Sequence, residues 1–289
     1  MKRLTALCLT LAILLWGGFC AAEGTLPELR LHQISNGNAA NYLIMVEDTV
    51  IVIDAGINTD NKRANADRLY EYFSALGVDH IDAHIVTHWH NDHALNIKPF
   101  NDRFGLDTTV VYGPSQILPE RFQPLTHGRY QQLRDGDRVR IGPTEVLCIA
   151  PERADVSGEN NRDSLNFILT YGAHRFVFTG DWMDYTVMHR HKEDINRVDV
   201  FCFPHHGLKP MCVRPATMRQ LSPRVILVPG SGASEDCVKD FIFHECSVKV
   251  MPRFYSNRDG HVQVISDGVT LSTAYKIEPG DLPAGKPLK

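Results

Sequence analysis

From residue 23 to residue 278 the sequence alternates short apolar runs with turn residues, without repeats or low-complexity segments. Residues 42–46 and 50–53 are apolar runs separated at Glu47-Asp48, which predicts a β-hairpin closed by Asp54-Ala55-Gly56. Leu69, Tyr72, Phe73 and Leu76 fall at i, i+3, i+4 and i+7, so an amphipathic helix is expected there, stopped by Gly77. Residues 81–86 predict a strand that runs straight into a polar, histidine-rich stretch, and 108–112 predict the next strand. Two further hairpins are expected at 139–141 with 146–149, turned by Gly142-Pro143, and at 165–170 with 175–179, turned by Gly172-Ala173. Strands at 198–203, 225–228, 248–251 and 261–265 complete the pattern. Many short strands with helices between them predict an α/β architecture of two packed sheets with outer helices.

The chain has 289 residues in ordinary globular proportions, 43% hydrophobic and 22% charged, which excludes a disordered or fibrous protein. Only its first residues form a long apolar run. Lys2 and Arg3 precede an uncharged stretch from Leu4 to Phe19, and Cys20-Ala21-Ala22 offers small residues for cleavage. Residues 1–22 are therefore expected to be a signal peptide cut after Ala22, making the protein secreted or extracytoplasmic with no stable membrane span. Residues 23–278 form the expected domain, and 279–289 a Pro/Gly-rich tail. Losing Lys2 and Arg3 takes 30 basic residues to 28 against 34 acidic ones, a balance of −6. With no Lys/Arg-rich run, nucleic acid is a disfavoured partner and a small molecule a better one. Five cysteines remain beyond the leader, an odd number without a CxxC pair. That indicates neither a disulfide framework nor a thiolate zinc site. Cys202 with Cys212 and Cys237 with Cys246 are the local bridge candidates, against free buried thiols.

The candidate chemistry lies at the end of the strand predicted for 81–86. His88, His90, Asp92 and His93 form the pattern HxHxDH. A strand-to-loop turn projects His88 and His90 to one side, while Asp92 and His93 fall where the next helix begins. Imidazole with carboxylate is a ligand set for zinc, iron or manganese, and one such loop can seed a pair of metal ions. Other polar groups also follow apolar strands. Asp181 ends the turn Thr179-Gly180-Asp181, where it could bridge two cations, and His205-His206-Gly207 follows residues 200–203.

These landmarks resemble the metallo-β-lactamase fold hydrolases, and most closely the branch related to the hydrolase domain of the competence protein ComEC. The likeness runs from about Leu31 to Gly268. It includes residues 52–56, the HxHxDH loop, Asp135-Gly136-Asp137, Asn161 with Ser164-Leu165, Asp181, His205-His206-Gly207 and Asp259-Gly260-His261. The resemblance implies an αββα sandwich with two divalent metal ions, zinc or else manganese. It assigns them His88, His90, Asp92, His93, a bridging Asp181 and one of His205 and His206, with His205 preferred. Many family members place another ligand histidine before the TGD turn. Here residues 160–165 lack one, so one ion is expected to be held more weakly, with water or Asn161 filling the gap. Asp54 is expected to fix the tautomer of a ligand histidine. His127 and His174 are expected at the surface.

The implied activity is metal-dependent hydrolysis by a metal-bound hydroxide, with Asp92 orienting it and His206 donating a proton or touching substrate. A phosphodiester is the expected substrate. Lys209 and Arg214 are candidate phosphate contacts, although solvated loop positions are the plainer reading of each. The rivals are an amide, lactam or lactone hydrolase on the same scaffold, and an exported binding protein whose metal site no longer turns over.

Overall fold

The computed structural model describes residues 26–57, 62–97, 103–104, 108–125, 129–208 and 213–277. The expected signal peptide, the tail, His127, Lys209 and Cys212 lie outside the described residues. The strands are β1 (Leu29–Gln33), β2 (Asn41–Val46), β3 (Thr49–Ala55), β4 (Ala83–Ile85), β5 (Val110–Gly113), β6 (Tyr130–Gln132), β7 (Arg138–Ile141), β8 (Thr144–Ala150), β9 (Asn166–Tyr171), β10 (His174–Phe178), β11 (Val200–Cys202), β12 (Val225–Val228), β13 (Arg253–Ser256), β14 (His261–Ser266) and β15 (Leu271–Ile277). The helices are α1 (Lys62–Ala75), α2 (Asn91–Ala94), α3 (Tyr185–Arg190), α4 (Pro215–Leu221) and α5 (Gly232–Phe241).

Among the described residues the strands build an eight-stranded sheet, β15-β14-β1-β2-β3-β4-β5-β6, and a seven-stranded one, β13-β12-β11-β10-β9-β8-β7. Each sheet is antiparallel on one flank and parallel on the other: β3 to β6 pair in parallel, and so do β10 to β13. Alternating side chains produce the two layers, because successive residues of a strand face opposite ways. Leu31, Ile44, Ile53 and Ile85 of one sheet meet Phe167, Phe176, Phe178 and Leu227 of the other in the central core. On the outer face of the first sheet, Leu43, Met45, Val50 and Val52 pack against Leu69, Tyr72, Phe73 and Leu76 of α1. On the outer face of the second, Val177, Ile226 and Val228 pack against Met188, Met218, Leu221, Val238 and Phe241 of α3 to α5. Each such aliphatic or aromatic side chain contributes about 1.5–3 kcal/mol on burial. The result is the αββα sandwich expected from the sequence.

Three strands were not visible in the apolar pattern: β1, β6 and β15. The strand expected at 248–251 is a correction. Val250 and Met251 are exposed, and the chain pairs with β12 two residues later, through β13. His174 is a second correction: it is buried, not at the surface, and its Nδ1 lies 2.7 Å from Ser266 Oγ. Cys148, Cys202, Cys237 and Cys246 are free thiols, so neither local bridge is present at those residues.

The polar loops gather where the parallel strands end. Asp54 lies at the end of β3, His88 beyond β4, Asp181 beyond β10 and the His205-His206 turn beyond β11. The carboxyl ends of parallel strands diverge into loops and leave a crevice, a common place for ligands in α/β folds. Gly56 allows the loops to close there. A Cβ at this position would stand 1.6 Å from the carbonyl oxygen of Asp92, so only glycine lets β3 pass the start of α2.

Candidate metal centre

The HxHxDH loop is pinned from behind by the residue between its first two histidines. Trp89 is fully buried beside Phe122 and Leu118, and its Nε1–H donates to Ser115 Oγ at 2.9 Å. Its backbone N–H donates to Gly158 O at 2.7 Å, and Arg121 donates to its carbonyl. With Trp89 turned into the core, His88 and His90 face the crevice, their ring centroids 4.6 Å apart. One turn further, α2 presents Asp92 and His93.

Several hydrogen bonds fix which nitrogen of each histidine faces inward. His93 Nδ1–H donates to Asp54 Oδ2 at 2.8 Å, leaving Nε2 for the crevice. Asp54 is itself held by Thr87, whose backbone N–H donates to Oδ1 at 2.7 Å and whose hydroxyl donates to Oδ2 at 2.8 Å. His206 Nδ1–H donates to Pro229 O at 2.8 Å, so its Nε2 also faces inward. His90 Nε2–H donates to Glu159 O at 2.9 Å, which leaves Nδ1 with the lone pair. Outer partners of this kind orient histidines for metal binding.

The inward atoms converge. His93 Nε2 lies 3.2 Å from His206 Nε2 and 3.0 Å from Asp181 Oδ1, an approach too oblique for a hydrogen bond. His206 Nε2 is 3.5 Å from Asp181 Oδ1 and 3.2 Å from Asp92 Oδ2. Donors about 2.0–2.1 Å from a tetrahedral zinc stand roughly 3.3 Å from one another, so this spacing fits such an ion. Two groups of donor atoms lie within 4.8 Å of one another: Asp92, His93 and His206, and His88, His93 and Asp181. Among the described residues the buried His88 Nε2 and Asp181 Oδ1 have no hydrogen-bond partner. Buried polar atoms are rarely left unpaired, and two of them on one crevice suit a cation.

The charge balance agrees with the geometry. Burial opposes the charge on His93, but the carboxylates of Asp181 and Asp54 hold its pKa well above the usual histidine value. Burial also opposes ionisation of Asp92, yet His206 and His93 pull its carboxyl down to about 2. Asp181 is likewise lowered against its burial, by His93, His206 and His88. Desolvation, reinforced by the neighbouring His93, pushes His88 the other way, well below the usual value. A proton on His93 thus occupies the place of positive charge between carboxylates, which a divalent ion fits better.

His205 and His206 separate. Both have φ of 54°, in the left-handed region, so the turn sends their rings in different directions. His206 joins a donor group, whereas His205 Nε2 stands 3.8 Å from Asp181 Oδ2 and accepts from Asn161 Nδ2 at 3.2 Å. His90 belongs to neither donor group. Arg214, a candidate phosphate contact, instead lies over the Tyr185 ring at 4.4 Å. Roles for Thr87, Pro229 O and Glu159 O were not among the expectations from sequence, and Ser164 entered only as a landmark of the family likeness. Ser164 and Thr87 could have been suspected as polar residues beside strand ends, but a backbone carbonyl leaves no trace in residue type.

The family of the β-lactamase superfamily domain matches residues 49–228, which span β3 to β12 and include every donor residue of this centre. The chain belongs to the β-lactamase superfamily. As a member it shares a metal-dependent and generally hydrolytic scaffold, one that binds divalent ions, commonly two zincs. Among solved structures, the metallo-β-lactamase fold protein YhfI from Bacillus subtilis matches with a TM-score of 0.56 at 16% identity, over 86% of this chain and 100% of that one. CmlA, a diiron β-hydroxylase from Streptomyces venezuelae, matches with a TM-score of 0.47 at 15% identity, over 76% of this chain and 51% of that one. A diphosphatase of the PhnP family matches at 0.46 and 10% identity, over 78% and 94%. At 16% identity the likeness to YhfI shows the fold alone. No curated protein matches the sequence.

Proposed function

We propose that this superfamily member is an exported hydrolase that holds two divalent cations and cleaves a phosphodiester. The observation that carries the reading is the convergence of His93, His206, Asp92 and Asp181 at spacings of 3.0 to 3.5 Å. These four would hold one cation. His88, Asp181 and Nδ1 of His90 would hold the other, more weakly, because residues 160–165 supply no further imidazole and water or Asn161 would fill the gap. Asp181 would bridge the pair. Zinc suits a tetrahedral imidazole and carboxylate set, with manganese the second choice. When bound, the pair supplies an activated water and stabilises charge on the attacking and leaving oxygens.

The protein's own residues divide the remaining work. Asp92 keeps its carboxylate ionised, with a pKa of about 2, and its side chain is 39% exposed. Beside a bound cation its role would be to orient the attacking water. His206 is committed through Nε2 to the ligand group, so contact with the substrate's phosphoryl oxygens falls to the partly exposed His205, positioned by Asn161. Asp54 and Thr87 hold His93 in the tautomer that binds. The phosphodiester class rests on two-cation chemistry and on the likeness of the HHG turn to the ComEC-related branch. The acidic balance of −6 favours a small diester over a long polyanion, and export rests on residues 1–22.

Turnover of bis-p-nitrophenyl phosphate by metal-loaded protein tests the reading. We expect cleavage that a chelator abolishes and that Asp92→Ala reduces at least about 100-fold. If the loaded protein leaves every phosphodiester intact but opens nitrocefin or a lactone, the amide, lactam or lactone reading replaces it.

A further inference from the structure

Asn166 is a polar residue at the head of an apolar strand. It opens β9, it is buried, and Phe167, Ile168 and Leu169 follow it into the interior. A buried amide is tolerated where its hydrogen bonds are made. Three carbonyl oxygens surround its Nδ2: Ser164 O at 3.2 Å, Thr179 O at 2.9 Å and Trp182 O at 2.8 Å. Only the NH2 end of the amide can face three acceptors, so its orientation is fixed by its surroundings. Oδ1 is left without a partner among the described residues.

Two of those carbonyls belong to the turn that carries Asp181. Thr179 and Trp182 are its first and last residues, and its own closing bond, from Trp182 N–H to Thr179 O, is long at 3.4 Å. Asn166 therefore braces a weakly closed turn across its two ends. Ser164, two residues earlier, accepts the backbone N–H of Asp181 through Oγ at 3.1 Å. Between them, Leu165 N–H donates to Thr87 O at 2.8 Å. Residues 164–166 thus touch both sides of the centre: the Asp181 turn of one sheet, and the Thr87 that holds Asp54, and with it His93, on the other. His93 and His206 are each oriented by a ring N–H bonded to an outer partner. Asp181 Oδ1 has no hydrogen-bond partner among the described residues, so its place is set through the backbone of its turn.

We propose that Ser164 and Asn166 are positioning residues for Asp181, fixing the turn so that its carboxylate stands between His88 and His93 and can serve both cations. The inference rests on the two-cation part of the proposed function and not on the phosphodiester. Outer partners that fix a metal-binding side chain act on affinity as well as on stability, and loss of one lowers metal affinity about 10- to 100-fold. Here the outer partners grip the backbone of the turn instead of the ligand side chain. Their effect on metal binding must therefore pass through Asp181.

A double-mutant cycle read as zinc affinity, by competition with a chromogenic chelator, tests it. Asn166→Leu keeps the shape of the side chain and removes both N–H groups, while Ser164→Ala removes only the hydroxyl. Each should weaken zinc binding about 10- to 100-fold, and Ser164→Thr, which keeps the hydroxyl, should restore most of the affinity. In the Asp181→Ala background the same substitutions should change affinity by no more than about twofold, because the carboxylate they position is gone. A merely structural role would lower the melting temperature of the metal-free protein and leave the zinc affinity of the folded protein unchanged. Unchanged affinity, or an equal loss with and without Asp181, overturns the proposal. Should Asn166→Leu fail to fold, the Ser164→Ala cycle decides alone. A wild type that binds no zinc overturns the two-cation reading and this inference together. Zinc binding with the expected coupling but no diester cleavage supports the brace and removes only the substrate class.

Discussion

Asp54 shows how a single residue can be readable in type and unreadable in geometry. Its position at the end of a strand before Gly56 marks it as polar and special, and the family likeness assigns it to a ligand histidine. Only the fold identifies the histidine as His93, 39 residues away, and adds Thr87 as the group that holds the carboxylate in place. Asp54→Ala removes the acceptor that fixes the His93 tautomer. Loss of such an outer partner lowers metal affinity about 10- to 100-fold. Competition with a chromogenic chelator should show that drop, and unchanged affinity would mean that Asp54 only closes a turn. The His205-His206 pair resisted reading for a related reason. Adjacent identical residues carry no signal of direction, and the left-handed φ at both positions decides which ring enters the centre.

At the scale of elements, strands carrying a continuous apolar run were legible and β1, which ends on buried polar groups, was not. β1 was missed because His32 and Gln33 are buried yet read as solvent-facing residues. His32 Nδ1–H donates to Tyr72 OH of α1 at 2.8 Å, and Gln263 Nε2 of β14 donates to His32 Nε2 at 3.3 Å. The neutral ring satisfies both neighbours, and a second proton would face the Gln263 amide. Burial, with smaller contributions from Arg30 and His261, lowers its pKa to about 3. With the folded value below the unfolded 6.5, the unfolded state takes up the proton first. The contribution of His32 to stability is therefore complete above about pH 6.5 and is lost progressively as pH falls toward 3. Thermal melts across that window should decline less steeply in His32→Gln than in the wild type. Parallel slopes would show that His32 is not the group that titrates. β13 was misplaced for the opposite reason: the apolar side chains of Val250 and Met251 are exposed. The junction of β3 with α2 is sharper still. Gly56→Ala would place a methyl group 1.6 Å from Asp92 O and should cost at least about 3 kcal/mol in denaturant unfolding. A loss under 1 kcal/mol would mean that the junction yields readily.

For the whole molecule, the two-sheet sandwich followed from hairpin spacing and strand-end motifs, because apolar alternation records burial wherever a strand faces a core. The site followed because metal chemistry requires particular residue types, and HxHxDH concentrates them in one loop. What the sequence left open was convergence: β4, β10 and β11 carry their polar ends from three separate stretches, and pairing across two sheets alone brings His93, Asp181 and His206 together. The central claim is that this convergence holds two cations sharing Asp181. It is tested most directly by the metal content of zinc-loaded protein after removal of free ions. We expect more than one and up to two ions per chain in the wild type, and fewer than one in Asp181→Ala. A wild type that retains no metal, or an Asp181→Ala variant that retains the full complement, would contradict it.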